Sequence, residues 1–272
     1  MSKIEARWAD LRHLDDLAAG SSPIHRLHPG AKLLATFVFL LVVTSFPKYE
    51  VAGLIPLAAY PIILLSLGNL PLRPVAQRLL FAMPFIVLIG IFNPLFDRAP
   101  ALELGPVIIS GGWLSLASII LRSTLAIAAA LLLLATTGID AIGMALGQLK
   151  VPRSLIMQLL FLHRYLYVLL DEFTRTVRAY SFRSLKEGEG IRYRVWGSLL
   201  GQLLLRTVDR ARRIYQAMLC RGFAGEIRLL RRERFRAKDA AYLLVWSAFF
   251  LFARLVNIPK LLGTLLLLLG GR

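Results

Sequence analysis

Residues 151–222 read VPRSLIMQLLFLHRYLYVLLDEFTRTVRAYSFRSLKEGEGIRYRVWGSLLGQLLLRTVDRARRIYQAMLCRG. In the first part, Ile156, Leu159, Leu160, Leu166, Leu170, Phe173, Val177 and Tyr180 recur at helical spacing and form one dominant stripe. Arg164, Asp171, Glu172, Arg175 and Arg178 interrupt that stripe too often for comfortable burial in lipid. The polar run SLKEGEGIRYR (184–194) reads as a loop. A second amphipathic helix follows over 196–219, striped by Leu200, Leu203, Leu204, Val208, Tyr215 and Met218. Its later polar positions are Arg206, Asp209, Arg210, Arg212 and Arg213. Each helix closes on a short arginine motif: Phe182-Arg183-Ser184, then Cys220-Arg221-Gly222. Gly222 is suited to stop the second one, because glycine takes the left-handed cap without steric cost.

The rest of the chain is of another character. Of its 272 residues, 57% are hydrophobic, and the mean hydropathy is +0.65. Uncharged runs near bilayer length predict a helical integral membrane protein. The candidate spans fall at 29–47, 51–70, 79–96, 113–137 and 240–255, three of them with a single basic residue inside: Lys32, Arg122 and Arg254. Lys32 is placed to snorkel at the entry to the first, and Pro56 and Pro61 should bend the second. Residues 261–271 are short for a span and read as interfacial, or as a continuation of the fifth helix past a kink. Arg122 lies well inside the fourth span. A charge there should face protein or water, either as a contact to another membrane subunit or as an internal pair or snorkeller.

The net charge of +17 would suggest nucleic acid in a soluble protein. No stacking-aromatic or groove-helix motif accompanies it, so a nucleic-acid partner is not expected. The charge instead follows the positive-inside pattern. Residues 138–239 carry 20 Lys and Arg against 9 Asp and Glu. The 71–78 loop is also basic and the N-terminal arm carries four Lys and Arg, balanced by four Asp and Glu, whereas the 97–112 loop is not basic. Five spans with a cytoplasmic N-terminus place every basic segment on one side. The basic run 228–238 then reads as a flank that anchors anionic headgroups. The start, MSKIEARWADLRHLDD, is too charged for a cleaved signal peptide, so insertion through the first span is expected.

The expected fold is thus an all-α integral membrane protein of about five transmembrane helices. It comprises a cytoplasmic arm (1–28), spans one to four (29–137), a cytoplasmic region of amphipathic helices (138–239), and a last span with its tail (240–272). The single cysteine, Cys220, precludes an internal disulfide framework. The four histidines are not spaced as a metal cluster; His25 and His28 could share a helical face, but Pro29 and Gly30 adjoin them. No phosphate loop, H-E-x-x-H or G-x-S-x-G motif occurs. A self-contained secondary transporter would need a polar midplane site, and the spans offer Arg122, Asn93 and a few hydroxyls. A membrane-bound lipid or prenyl enzyme would need clustered Asp or His at the interface, where Asp140 stands alone.

Several of these segments resemble one family. SPIHRLHPGAKLL (22–34), FNPLF (92–96), TTGIDAIGMALGQLKVPRSL (136–155), His163-Arg164-Tyr165 and above all the two arginine motifs are similar to the transmembrane T component of energy-coupling factor (ECF) transporters, in its cobalt-type branch. The family's motifs are of the Ala-Arg-Gly or Ala-Arg-Ser kind; Phe182 and Cys220 depart from alanine at the first position. The resemblance implies a non-enzymatic scaffold in a bacterial inner membrane. Phe182, Arg183, Ser184, Cys220, Arg221 and Gly222 would end coupling helices seated on two cytoplasmic ABC ATPase subunits. ATP would be bound by those subunits, with no cofactor or metal on this chain. A separate substrate-binding membrane subunit would hold the cargo, Co²⁺ or Ni²⁺.

Overall fold

The computed structural model describes residues 15–96, 100–104, 107–183, 193–225 and 235–256. They are helical apart from one short hairpin. The residues divide into two compact units, one of 143–225 and the other of 15–142 with 235–256. Ser184 and the rest of the polar loop to 192, most of the 228–238 run, and the 261–271 segment lie outside the described residues.

The larger unit begins with a packed arm. Ile24 is buried. His25 Nε2 donates to the Leu17 carbonyl at 2.9 Å, which leaves Nδ1 to accept from the Ser22 hydroxyl at 2.6 Å. Helix α1, Pro29–Ser45, carries proline in its first turn and ends at Phe46, whose extended backbone precedes Pro47. Proline is tolerated at a helix start but disfavours helix in the residue before it, so the two prolines set both ends of α1. Two 3₁₀ turns, Ala52–Leu54 and Pro56–Ala58, lead into α2, Ala59–Leu67. The expected second span is therefore a wound entry followed by a short helix.

Helix α3, Leu72–Gly90, passes into α4, Phe92–Phe96. An antiparallel pair of strands, β1 (Pro100–Leu104) and β2 (Val107–Ser110), follows. The sequence reading left this stretch as a loop. Helix α5, Gly111–Thr137, and α9, Ala237–Leu255, complete the unit. The core is aromatic and lies among α1, α2, α5 and α9. Phe39, Tyr60 and Phe250 are fully buried, and Trp246 stacks on Phe250 at 5.5 Å. Tyr60 keeps a polar partner inside this core, since its hydroxyl lies 2.8 Å from that of Thr36.

Lys32 does not snorkel. Its side chain is buried, and Nζ donates to the Thr136 carbonyl at 2.8 Å. That carbonyl belongs to the last turn of α5, where helix acceptors lack intrahelical partners and a cation is favoured.

Three segments among the described residues are long and apolar enough to cross a membrane: Leu72–Pro94, Gly111–Thr137 and Arg153–Arg183. Pro29–Ser45 and Ala52–Leu67 are apolar but shorter. The sequence reading placed the Arg153–Arg183 helix outside lipid; its length and apolar first half also meet the requirement for a span.

Candidate functional site

The second unit is built on two long helices. Helix α6, Ile139–Gln148, leads in, and a tight turn through Lys150 at φ +62° reverses the chain. Gly143 permits the close approach that follows: a Cβ there would lie 3.0 Å from the Leu160 side chain. Helix α7 spans Arg153–Arg183 without Gly or Pro in its interior, and α8 spans Tyr193–Cys220.

The two helices pack antiparallel. Phe173 stacks on Trp196 at 6.1 Å. Near the middle of both helices, Glu172 accepts from Arg206 at 3.0 Å and lies 3.8 Å from Arg210. Beyond it, Phe161, Tyr165 and Leu169 of α7 face Val208, Ile214 and Met218 of α8 across an open apolar hollow of about 510 Å³. Leu162, Leu200, Leu204 and Leu205 are exposed, as are Arg212 and Arg213. This unit presents far more apolar side chain than it covers by itself.

Because the helices are antiparallel, their C-terminal ends lie at opposite ends of the pair. At 1.5 Å per residue from the contact at Glu172, Arg183 and Arg221 are separated by roughly 35 Å along the helix axes. Both are exposed, as is Cys220, and Phe182 is 88% exposed. Among the described residues neither guanidinium makes a side-chain hydrogen bond or an ion pair.

The second motif is locked by its cap. The Phe223 amide donates to the Met218 carbonyl and the Gly222 amide to the Leu219 carbonyl, each at 3.0 Å. With Gly222 at φ +77°, this is the Schellman arrangement. Met218 and Phe223 border the same apolar hollow, which supplies the hydrophobic contact that accompanies such caps. Arg221 is thereby held, exposed, at the last helical turn.

Arg122 lies in the other unit. Its Nη2 reaches the carbonyls of Phe46 at 3.0 Å and Pro47 at 3.1 Å, and the Ser118 hydroxyl at 3.3 Å. Its Nε is buried without a hydrogen-bond partner among the described residues. Arg254 approaches the same helix end: Nη2 is 3.3 Å from the Ser45 carbonyl, and the guanidinium lies over the Phe46 ring at 4.9 Å. Two arginines therefore cap the end of α1, where Pro47 leaves carbonyls unpaired. The proline after an apolar helix is the signal in the sequence that points to such a contact. At the opposite end of α1, the His28 amide donates to Asp239 Oδ1 at 2.8 Å, and His28 Nδ1 accepts from the Gly30 amide. Among the described residues, no three His, Cys, Asp or Glu side chains gather as a metal site.

The chain is similar to two curated proteins. It is 26% identical over 237 residues to the uncharacterized protein MJ1571 of Methanocaldococcus jannaschii, covering 82% of this chain and 79% of that one. It is 28% identical over 220 residues to the energy-coupling factor transporter transmembrane protein EcfT of Streptococcus equi subsp. equi, covering 76% and 81%. Residues 20–230 match the family model of the cobalt transport protein CbiQ, and the chain belongs to that family of membrane transport components.

Proposed function

We propose that this chain is the transmembrane T component of an ECF-type importer. In this reading it couples two cytoplasmic ABC ATPase subunits to a separate substrate-binding membrane subunit. The observation that carries the proposal is the placement of Arg183 and Arg221 at opposite ends of one antiparallel helix pair, about 35 Å apart and without partners among the described residues. One rigid element offering two separated arginine ends suits two copies of one ATPase, or two homologous ones. Each helix end would seat in a groove of an ATPase, where the planar guanidinium suits carboxylates or helix-end carbonyls. Closing of the ATPase dimer on ATP would move both ends and tilt the pair.

The finer features follow from the same reading. Five crossings are assigned to α1, the 52–67 segment, α3 with α4, α5 and α9, with α7 and α8 in the cytoplasm. The exposed charges of α8 and the second half of α7 support the cytoplasmic assignment. ATP is bound by the ATPases, and this chain holds no cofactor or metal of its own. The cargo is Co²⁺ or Ni²⁺, carried by the partner membrane subunit; the family description supports cobalt. The open apolar hollow between α7 and α8 is the surface we assign to that partner, since exposed apolar area of this kind marks interaction sites.

The test is reconstitution with the ATPase and substrate-binding subunits. Arg183→Ala and Arg221→Ala should each reduce uptake and coupled ATP hydrolysis, and the double variant should nearly abolish both. Loss of a charge-assisted contact at a packed interface costs about 2–5 kcal/mol. Full uptake by the double variant would overturn the coupling role.

A further inference from the structure

A second hollow, of about 720 Å³, opens on the membrane unit between the N-terminal arm, α2 and α9. Its lining combines two chemistries. Arg26, Arg236 and Lys238 border it, all exposed. Ile63, Leu67, Val245 and Trp246 supply an apolar wall. Arg236 and Lys238 stand at the start of α9, and Val245 lies about 12 Å further along the same helix. Along the axis of α9, charge is thus separated from apolar surface.

Asp239 also borders the hollow, but its carboxylate is already occupied. Oδ1 accepts from the His28 amide and Oδ2 from the Arg236 amide, each at 2.8 Å, and the residue is buried. Asp239 is the one acid among the lining residues, so Arg26, Arg236 and Lys238 leave the rim net positive. Ile63, Leu67 and Val245 are themselves 39%, 52% and 65% exposed, so the apolar wall needs an apolar cover.

We propose that this hollow binds one anionic diacyl phospholipid. Its phosphate and headgroup would sit among Arg26, Arg236 and Lys238, and an acyl chain would lie along Leu67, Ile63 and Val245. A zwitterionic lipid would fill the apolar wall but would bring a cation to a cationic rim. Free phosphate would meet the rim and leave the wall bare. The site joins the arm to α2 and α9, so the bound lipid bridges three separate segments.

The experiment titrates the purified full-length chain with phosphatidylglycerol or phosphatidylcholine of matched acyl chains and counts bound lipid by native mass spectrometry. One phosphatidylglycerol should remain bound at concentrations where phosphatidylcholine is lost. The combined variant Arg26→Ala, Arg236→Ala, Lys238→Ala should raise the half-saturating concentration at least about tenfold, with the melting temperature without lipid unchanged. Val245→Asp, at an exposed position, should also weaken binding, which an anion site alone would not show. Equal retention of the two lipids, undiminished binding by the triple variant or by Val245→Asp, or displacement by millimolar inorganic phosphate would each overturn the proposal.

Discussion

Gly222 shows how a backbone requirement places a charge. Its φ of +77° lies in the region where a Cβ costs about 1–2 kcal/mol, although a Cβ there would meet no other atom within 4 Å. Gly222→Ala should lower the stability of the cap by about 1 kcal/mol through strain alone, measurable as increased amide exchange at Phe223. If Arg221 seats on an ATPase as proposed, the variant should also weaken that binding, because Arg221 precedes the strained residue. Arg122 illustrates the opposite case, a charge that is held in place by backbone. Arg122→Leu leaves the Phe46 carbonyl short of a donor, while the Pro47 carbonyl keeps the Glu50 amide, and should cost about 1–3 kcal/mol. Thermal unfolding of the purified chain measures this directly; an unchanged melting temperature would show that Arg254 alone suffices at that helix end.

At the scale of elements, the antiparallel pair of α7 and α8 depends on how α6 delivers the chain into it. Gly143 sits against Leu160, with room for hydrogen but not for a branched side chain. Gly143→Val should force α6 and α7 apart at a cost of about 1–3 kcal/mol, the range for overpacking, while leaving the larger unit intact. Gly197 and Gly201 of α8 are different: a Cβ at either would meet nothing within 4 Å. Replacing each by alanine should stabilise α8 by about 0.5–1 kcal/mol, read from denaturant melts of the chain by itself. Reduced assembly despite that gain would locate a partner that needs the close approach the glycines permit. The ion pairs of Glu172 contribute little, since both arginines are well exposed and such pairs are worth about 0–1 kcal/mol.

For the whole molecule, the prediction concerns sidedness. In a Cys220→Ser background, Lys48→Cys follows α1 and should be labelled from outside intact cells. Asp209→Cys, in the exposed polar face of α8, should be labelled only after permeabilisation. Labelling of Asp209→Cys from outside would place α7 across the membrane, as its length and apolar first half allow, and would overturn the five-span reading. Helix α1 is about 26 Å long, a little under a bilayer core of about 30 Å. The prolines set its two ends, and Arg122 and Arg254 supply donors to the carbonyls of its last residues.

The amphipathic stripes of residues 151–222, the positions at which both long helices end, and the apolar character of the remainder were legible in the sequence. Periodicity, glycine and charge act locally, within a turn or two of chain. The antiparallel pairing that sets Arg183 and Arg221 at opposite ends was not legible, because it is decided by packing between residues distant in the chain, such as Phe173 on Trp196. Lys32 read as a snorkelling cation because sequence shows the charge and not the Thr136 carbonyl 104 residues away. Arg122 left a partner contact and an internal pairing open until the end of α1 came beside it. Sequence determined which groups would need satisfying: the unpaired carbonyls before Pro47, the buried cations, and the uncovered leucines. The tertiary structure alone decided which distant groups satisfy them, because hydrogen bonds and packing act over a few ångströms in space however far apart the residues lie in the chain.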